Sequence, residues 1–132
     1  MSKKVSIKLV SIRYGGDDIG DDIELEIKIE DKTFKLKKQI KYGIALTVNQ
    51  EVAQLEFAND TLATEVVVTV TEKDLLFSDS GQSLKNLEIR STILPLEFIV
   101  EVKVQERKVT LRKSTADFTL NFVAEEKEPQ PT

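Results

Sequence analysis

Asp17, Asp18, Asp21 and Asp22 crowd into the stretch Gly15-Gly16-Asp17-Asp18-Ile19-Gly20-Asp21-Asp22, and Glu72, Asp74 and Asp79 form a second acidic group that closes on Ser80-Gly81. Carboxylates this dense repel one another unless water screens them or a cation neutralises them. A hard cation such as Ca²⁺ takes six to eight oxygens at roughly 2.3–2.6 Å, and glycine permits the sharp turns that aim carbonyls inward. Asp17, Asp18, Asp21 and Asp22 therefore make one candidate half-site. Glu72, Asp74 and Asp79 make the other, provided the fold brings both stretches to one end. The competing reading is that acidic tips only keep strand ends solvated and block edge pairing.

The residue types that are missing narrow the chemistry further. The chain of 132 residues has no His and no Cys, which removes histidine bases, cysteine nucleophiles, disulfides and zinc sites built on either residue. A hydrolase built only on carboxylates would need paired acids with raised pKa in a pocket, and loop acids are a poor place for them. The sequence therefore reads as non-catalytic. A net charge of −4 argues against general nucleic-acid binding.

A basic stretch runs from Lys32 to Lys41. In a strand, Lys35, Lys37 and Lys41 share one face with Gln39, opposite Phe34, Leu36 and Ile40, while Lys38 breaks the alternation. A lysine near an anionic bilayer is worth about 1 kcal/mol, so this row suits weak, salt-sensitive docking on acidic phospholipid. An ordinary solvated face balanced by Glu24 and Glu26 is the plainer alternative. Lys103 to Lys113 is a second basic stretch, but Glu106 interrupts it. Leu75-Leu76-Phe77, beside the second acidic group, fits either a membrane wedge or a cap on the core.

Strands must position these groups, because apolar and polar residues alternate along most of the chain. Val5, Ile7 and Leu9 alternate with polar neighbours, as do Ile23, Leu25, Ile27 and Ile29, and later Val66, Val68 and Val70. Phe98, Val100, Val102 and Val104 repeat the pattern, followed by Phe118, Leu120 and Phe122. Ile44–Val48, Val52–Phe57 and Val109–Leu111 read as further short strands, and only 75–87 leaves room for a helical turn. Asp, Asn, Gly and Ser clusters mark the turns. The expected fold is all-β: an antiparallel two-sheet sandwich of about eight to ten strands, C2-like or immunoglobulin-like. One domain should span residues 1–124, with an acidic, proline-containing tail or linker over 125–132. Met1-Ser2-Lys3-Lys4 leads into a strand and no stretch reaches the apolar length of a membrane span, so the expectation is a cytoplasmic, peripherally membrane-bound protein.

The order of these features resembles the C2 family (protein kinase C conserved region two), a calcium- and phospholipid-binding β-sandwich. In that family an Asp-bearing loop after the first strand ends in an Asp opening the second, as Gly16-Asp17-Asp18-Ile19-Gly20-Asp21-Asp22 does before Ile23-Glu24-Leu25. A second acidic loop follows an apolar strand, as Glu72-Lys73-Asp74 and Ser78-Asp79-Ser80-Gly81 follow Val66–Val70. The resemblance covers about residues 5–124 and departs from the family pattern at Ile23-Glu24, where Pro-Tyr is usual, and at Glu72, where Asp is usual. It implies a Ca²⁺-dependent binding module or adaptor for acidic phospholipid or a protein partner. The alternative is a metal-free structural or protein-interaction sandwich.

Overall fold

Residues 3–73, 78–106 and 114–127 are described by a computed structural model. Among them the alternating stretches form eight strands: β1 (Lys4–Gly16), β2 (Asp22–Ile29), β3 (Lys32–Gln39), β4 (Ala45–Glu56), β5 (Thr61–Glu72), β6 (Asp79–Arg90), β7 (Leu96–Gln105) and β8 (Thr115–Lys127). They pair antiparallel into two four-stranded sheets, ordered β4-β1-β8-β7 and β3-β2-β5-β6. The inward rows of the two sheets make one core. Ile23, Leu25, Ile27 and Ile29 from β2 and Val66, Val68 and Val70 from β5 belong to it, as do Phe118, Leu120 and Phe122 from β8. Each such side chain stabilises the fold by about 1.5–3 kcal/mol through burial.

β1 departs from strict alternation. Val5, Ile7 and Leu9 face inward at odd positions, whereas Ile12 and Tyr14 are buried at even ones. A register shift between Leu9 and Ser11 against both neighbours reverses the parity. An extra residue in one strand does this, turning every later side chain to the opposite face. The shift carries Tyr14 into the core beside the first acidic loop. β4 likewise joins what the sequence divides into two strands, with Asn49 at φ 51 between them.

Two further expectations change. The doubtful helical stretch is strand from Asp79 onward, because its polar residues pair in register with β5 from Glu72↔Asp79 to Thr61↔Arg90. Leu75–Phe77 and Val109–Leu111 lie outside the described residues. The sandwich also extends past residue 124. Glu125, Glu126 and Lys127 continue β8 against Ser6, Val5 and Lys4, and Lys8–Glu125 and Lys127–Glu51 ion pairs place their charge at the surface. A strand needs backbone pairing, not apolar side chains, to run on in solvent.

The two sheets join along β6 and β7. Ser83 Oγ donates to the backbone carbonyl of Glu101, Lys85 Nζ donates to that of Ile99 at 3.1 Å, and Gly81 lies directly against the carbonyl of Lys103. These contacts cover part of the β7 edge. β3 and β4, the opposite edges, form the second side of the sandwich.

Candidate functional site

The strand register gathers both acidic loops at one end. Asp22 opposes Gln39 at the end of β3, Ile23 opposes Glu72 at the end of β5, and Glu72 opposes Asp79 at the start of β6. Gly16 opposes Ala116, which brings the start of β8 to the same end. Backbone hydrogen bonds tie the loops together, from Ile40 N–H to the Asp21 carbonyl at 2.9 Å and from Lys73 N–H to the Asp22 carbonyl at 2.8 Å.

Tyr14 is the post around which the first loop turns. Its hydroxyl donates to the Gly20 carbonyl at 2.8 Å and accepts from the Ile19 N–H at 2.7 Å. Burial pushes the phenol up to about 12, and the nearby Asp18 charge adds to the rise against the opposing hydrogen bond from Ile19. The ring packs on Phe118 at 4.5 Å. Tyr42, from the β3–β4 loop, stands edge-on to it at 5.6 Å and donates its own hydroxyl to the Gly16 carbonyl at 2.7 Å.

The individual carboxylates have local duties. Asp17 Oδ2 accepts the Thr115 N–H at 2.9 Å while the Asp17 N–H donates to the Thr115 carbonyl at 3.0 Å, so Asp17 fastens β1 to β8. Asp18 Oδ1 accepts the Gly20 N–H at 3.1 Å, a side-chain turn of the kind Asp favours. Asp22 faces the Gln39 amide at 3.5 Å. Glu72 and Asp79 are opposite each other and both buried, with the Glu72 carboxyl packed where a side chain at Gly20 would stand. Gly20 has φ 129, so glycine serves there both for backbone freedom and for space. Asp74 lies outside the described residues. Among the described residues no three Asp or Glu side chains converge as metal donors. The structure thus brings the loops together without forming a calcium cage from the described carboxylates alone.

On the outer face of β2 and β3 the lysines meet the glutamates the sequence places across from them. Lys37 lies 3.2 Å from Glu24 and Lys35 lies 3.9 Å from Glu26, while Lys73 and Lys28 reach the same two acids at 3.6 and 3.4 Å. Burial raises the Glu24 pKa, but the Lys37 hydrogen bond and charge, then Lys73, outweigh it and hold the carboxyl below its ordinary value. Four lysines therefore surround two acids, and the face stays basic. A shallow groove of about 260 Å³ runs between them, lined by Glu24, Glu26, Lys35, Lys37, Thr69 and Lys73. Lys41 is exposed beyond the end of β3.

Sequence reasoning does not single out Tyr42 and Ile44. They are 45% and 53% exposed, two large apolar side chains in the loop that follows the lysine strand. Alternation over Ile44–Val48 sets Ile44 in phase with Leu46 and Val48 and so predicts an inward side chain, but β4 begins only at Ala45 and leaves Ile44 outside it, beside the turn glycine Gly43.

This two-sheet arrangement, with its acidic loops at one end, is a C2-like β-sandwich. Similar solved structures include human GIVD cytosolic phospholipase A2 in complex with methyl gamma-linolenyl fluorophosphonate and terbium chloride, at TM-score 0.51 and 11% identity. That match covers 96% of this chain but only 18% of the phospholipase, so the likeness concerns one portion of that enzyme. The C2 domain A of plant extended synaptotagmin 1 is similar at TM-score 0.46 and 11% identity, over 96% of this chain and 97% of that one. At such identities the likeness is one of fold. No family model and no curated protein sequence matches the chain.

Proposed function

We propose that the protein is a non-catalytic, cytoplasmic binding module that docks peripherally on acidic phospholipid. The observation that carries this reading is the junction of β3 with the β3–β4 loop. A strand bearing Lys35 and Lys37 runs past Lys41 into a loop exposing Tyr42 and Ile44, so cations and apolar side chains meet at one end. Cations attract the headgroups, and apolar residues of this size gain by entering the interface. Among the described residues no helix is long and apolar enough to cross a membrane.

Binding to vesicles containing phosphatidylserine should exceed binding to phosphatidylcholine alone and fall with added salt. Lys35→Gln with Lys37→Gln should weaken it about tenfold, less than two free lysines would give because both are partly neutralised by Glu26 and Glu24. Equal binding to both vesicle types would reject the proposal. Binding to neither would favour the metal-free protein-interaction module.

A calcium-loaded form is a second reading, favoured by the convergence of the two acidic loops at one end. Its donors would come from Asp17, Asp18, Asp21 and Asp22 on one loop and Glu72, Asp74 and Asp79 on the other. Calcium would supply charge neutralisation between the loops. A ligand at a hundred times its Kd adds about 2.7 kcal/mol to stability. The melting temperature should therefore rise by several degrees in millimolar Ca²⁺ but not Mg²⁺, and Asp21→Asn with Asp22→Asn should remove the rise. An unchanged melting temperature in millimolar Ca²⁺ would reject this reading and leave the lipid proposal standing on its lysines.

A further inference from the structure

Lys38, the residue that breaks the alternation of the basic strand, has a counterpart at the other end of β3. Lys32, Phe34, Leu36 and Lys38 occupy alternate positions and so share the face turned toward the opposite sheet. Phe34 and Leu36 are only partly buried, as are Leu46 and Val48 on β4, the edge strand of the other sheet. The core is thus incompletely covered along the β3–β4 side, whereas β6 side chains hydrogen-bond to β7 on the other. Lys35 and Lys37 are held by acids, but among the described residues Lys32 and Lys38 have no ion-pair partner. The seam therefore combines a strand edge that no described strand pairs, an apolar floor two residues long and a cation at each end.

We propose that this seam accepts an extended segment of a partner protein, added as a strand to the free edge of β3. Its side chains on the inward face would read acidic, apolar, apolar, acidic at alternate positions. Backbone pairing would hold such a segment, the two apolar side chains would cover Phe34 and Leu36 against Leu46 and Val48, and the acids would meet Lys32 and Lys38. The same lysines reject a purely apolar strand, because pairing would desolvate two cations without compensation. A second copy of this chain is a poor occupant, since none of the described edge strands β3, β4, β6 and β7 carries an acidic-apolar-apolar-acidic row on one face.

The test uses the full chain and three capped synthetic peptides: Glu-Thr-Val-Thr-Val-Thr-Glu, the same peptide with Lys at both ends, and the acidic peptide with Pro at its centre. Binding is followed by amide chemical shifts. The acidic peptide should bind about tenfold more tightly than the basic one, shift β3 and β4 amides, and lose binding when Pro removes a ladder donor. Lys32→Glu with Lys38→Glu should invert the charge preference, and Lys32→Gln with Lys38→Gln should abolish it, with circular dichroism confirming the fold of both. Equal binding of acidic and basic peptides, shifts confined to the outer Lys35–Lys37 face, no binding at millimolar peptide, or unaltered preference in folded variants would each overturn the proposal. Vesicle binding is read separately, so failure of the lipid reading leaves this result unaffected.

Discussion

Gly81→Val is expected to lower the stability of the domain by about 2–3 kcal/mol, or on the order of 10 °C in melting temperature. The cause is local and steric. A Cβ at Gly81 would collide with the Lys103 carbonyl and press on Val104, and backbone cannot swing aside as a flexible side chain can. Relief requires β6 to move from β7, which also lengthens the Ser83 and Lys85 hydrogen bonds to the Glu101 and Ile99 carbonyls. Ser83→Ala is the control, since it removes one exposed bond without the collision and should cost only about 0.5–1.5 kcal/mol. Urea unfolding followed by far-ultraviolet circular dichroism separates the two. A Gly81→Val variant as stable as Ser83→Ala would mean that the sheets tolerate separation along this side.

Tyr14→Phe is expected to cost about 1–3 kcal/mol at neutral pH, because it keeps the ring on Phe118 but leaves the Ile19 N–H and Gly20 carbonyl without their partner. The loss should depend on pH in a defined direction. The phenol titrates at 10.0 ordinarily and at about 12 in the folded protein, so folding favours its protonated form. That contribution is complete below pH 10 and disappears as pH rises toward 12. The stability gap between the native chain and Tyr14→Phe should therefore narrow across this window. A gap that stays constant from about pH 8 to about pH 11.5 would show that the hydroxyl is not protected by the loop.

Much of this architecture is legible in the residues, and the exceptions have physical causes. Alternation marks the inward rows of β2, β5, β7 and β8 because those strands keep one register along their paired length. It fails in β1, where Leu9 and Ile12 are both inward. A bulge is a property of the pairing with β4 and β8, and Val10 carries no glycine or proline to announce it. The structural role of Tyr14 is hidden for that reason: read with unbroken alternation from Val5, residue 14 falls on the outer face. The end of the sandwich escapes the sequence because Glu125–Lys127 are stabilised by a neighbouring backbone and surface ion pairs, which composition does not reveal.

The convergence of the acidic loops is foreseeable only as a condition, since it depends on which strands become neighbours. The pairing of Lys35 and Lys37 with Glu26 and Glu24 is readable because charges opposite in adjacent strands are a local matter. The exposure of Tyr42 and Ile44 is not: Tyr42 falls in a turn whose wet side the sequence does not mark, and Ile44 alternates with Leu46 and Val48 yet precedes β4, which starts at Ala45.

The antiparallel pairing of β1 with β8 sets Lys4 beside Lys127, at the end of the molecule away from the loops. A fluorophore or reporter fused at either position would sit next to one at the other. Both would stand a full strand length from Tyr42, about 40 Å for the 13 residues of β1. For energy-transfer measurements the sandwich is thus a built-in ruler: an acceptor-labelled vesicle engaged by the loops would stay distant from donors at both positions, and one lying along the lysine face would approach them.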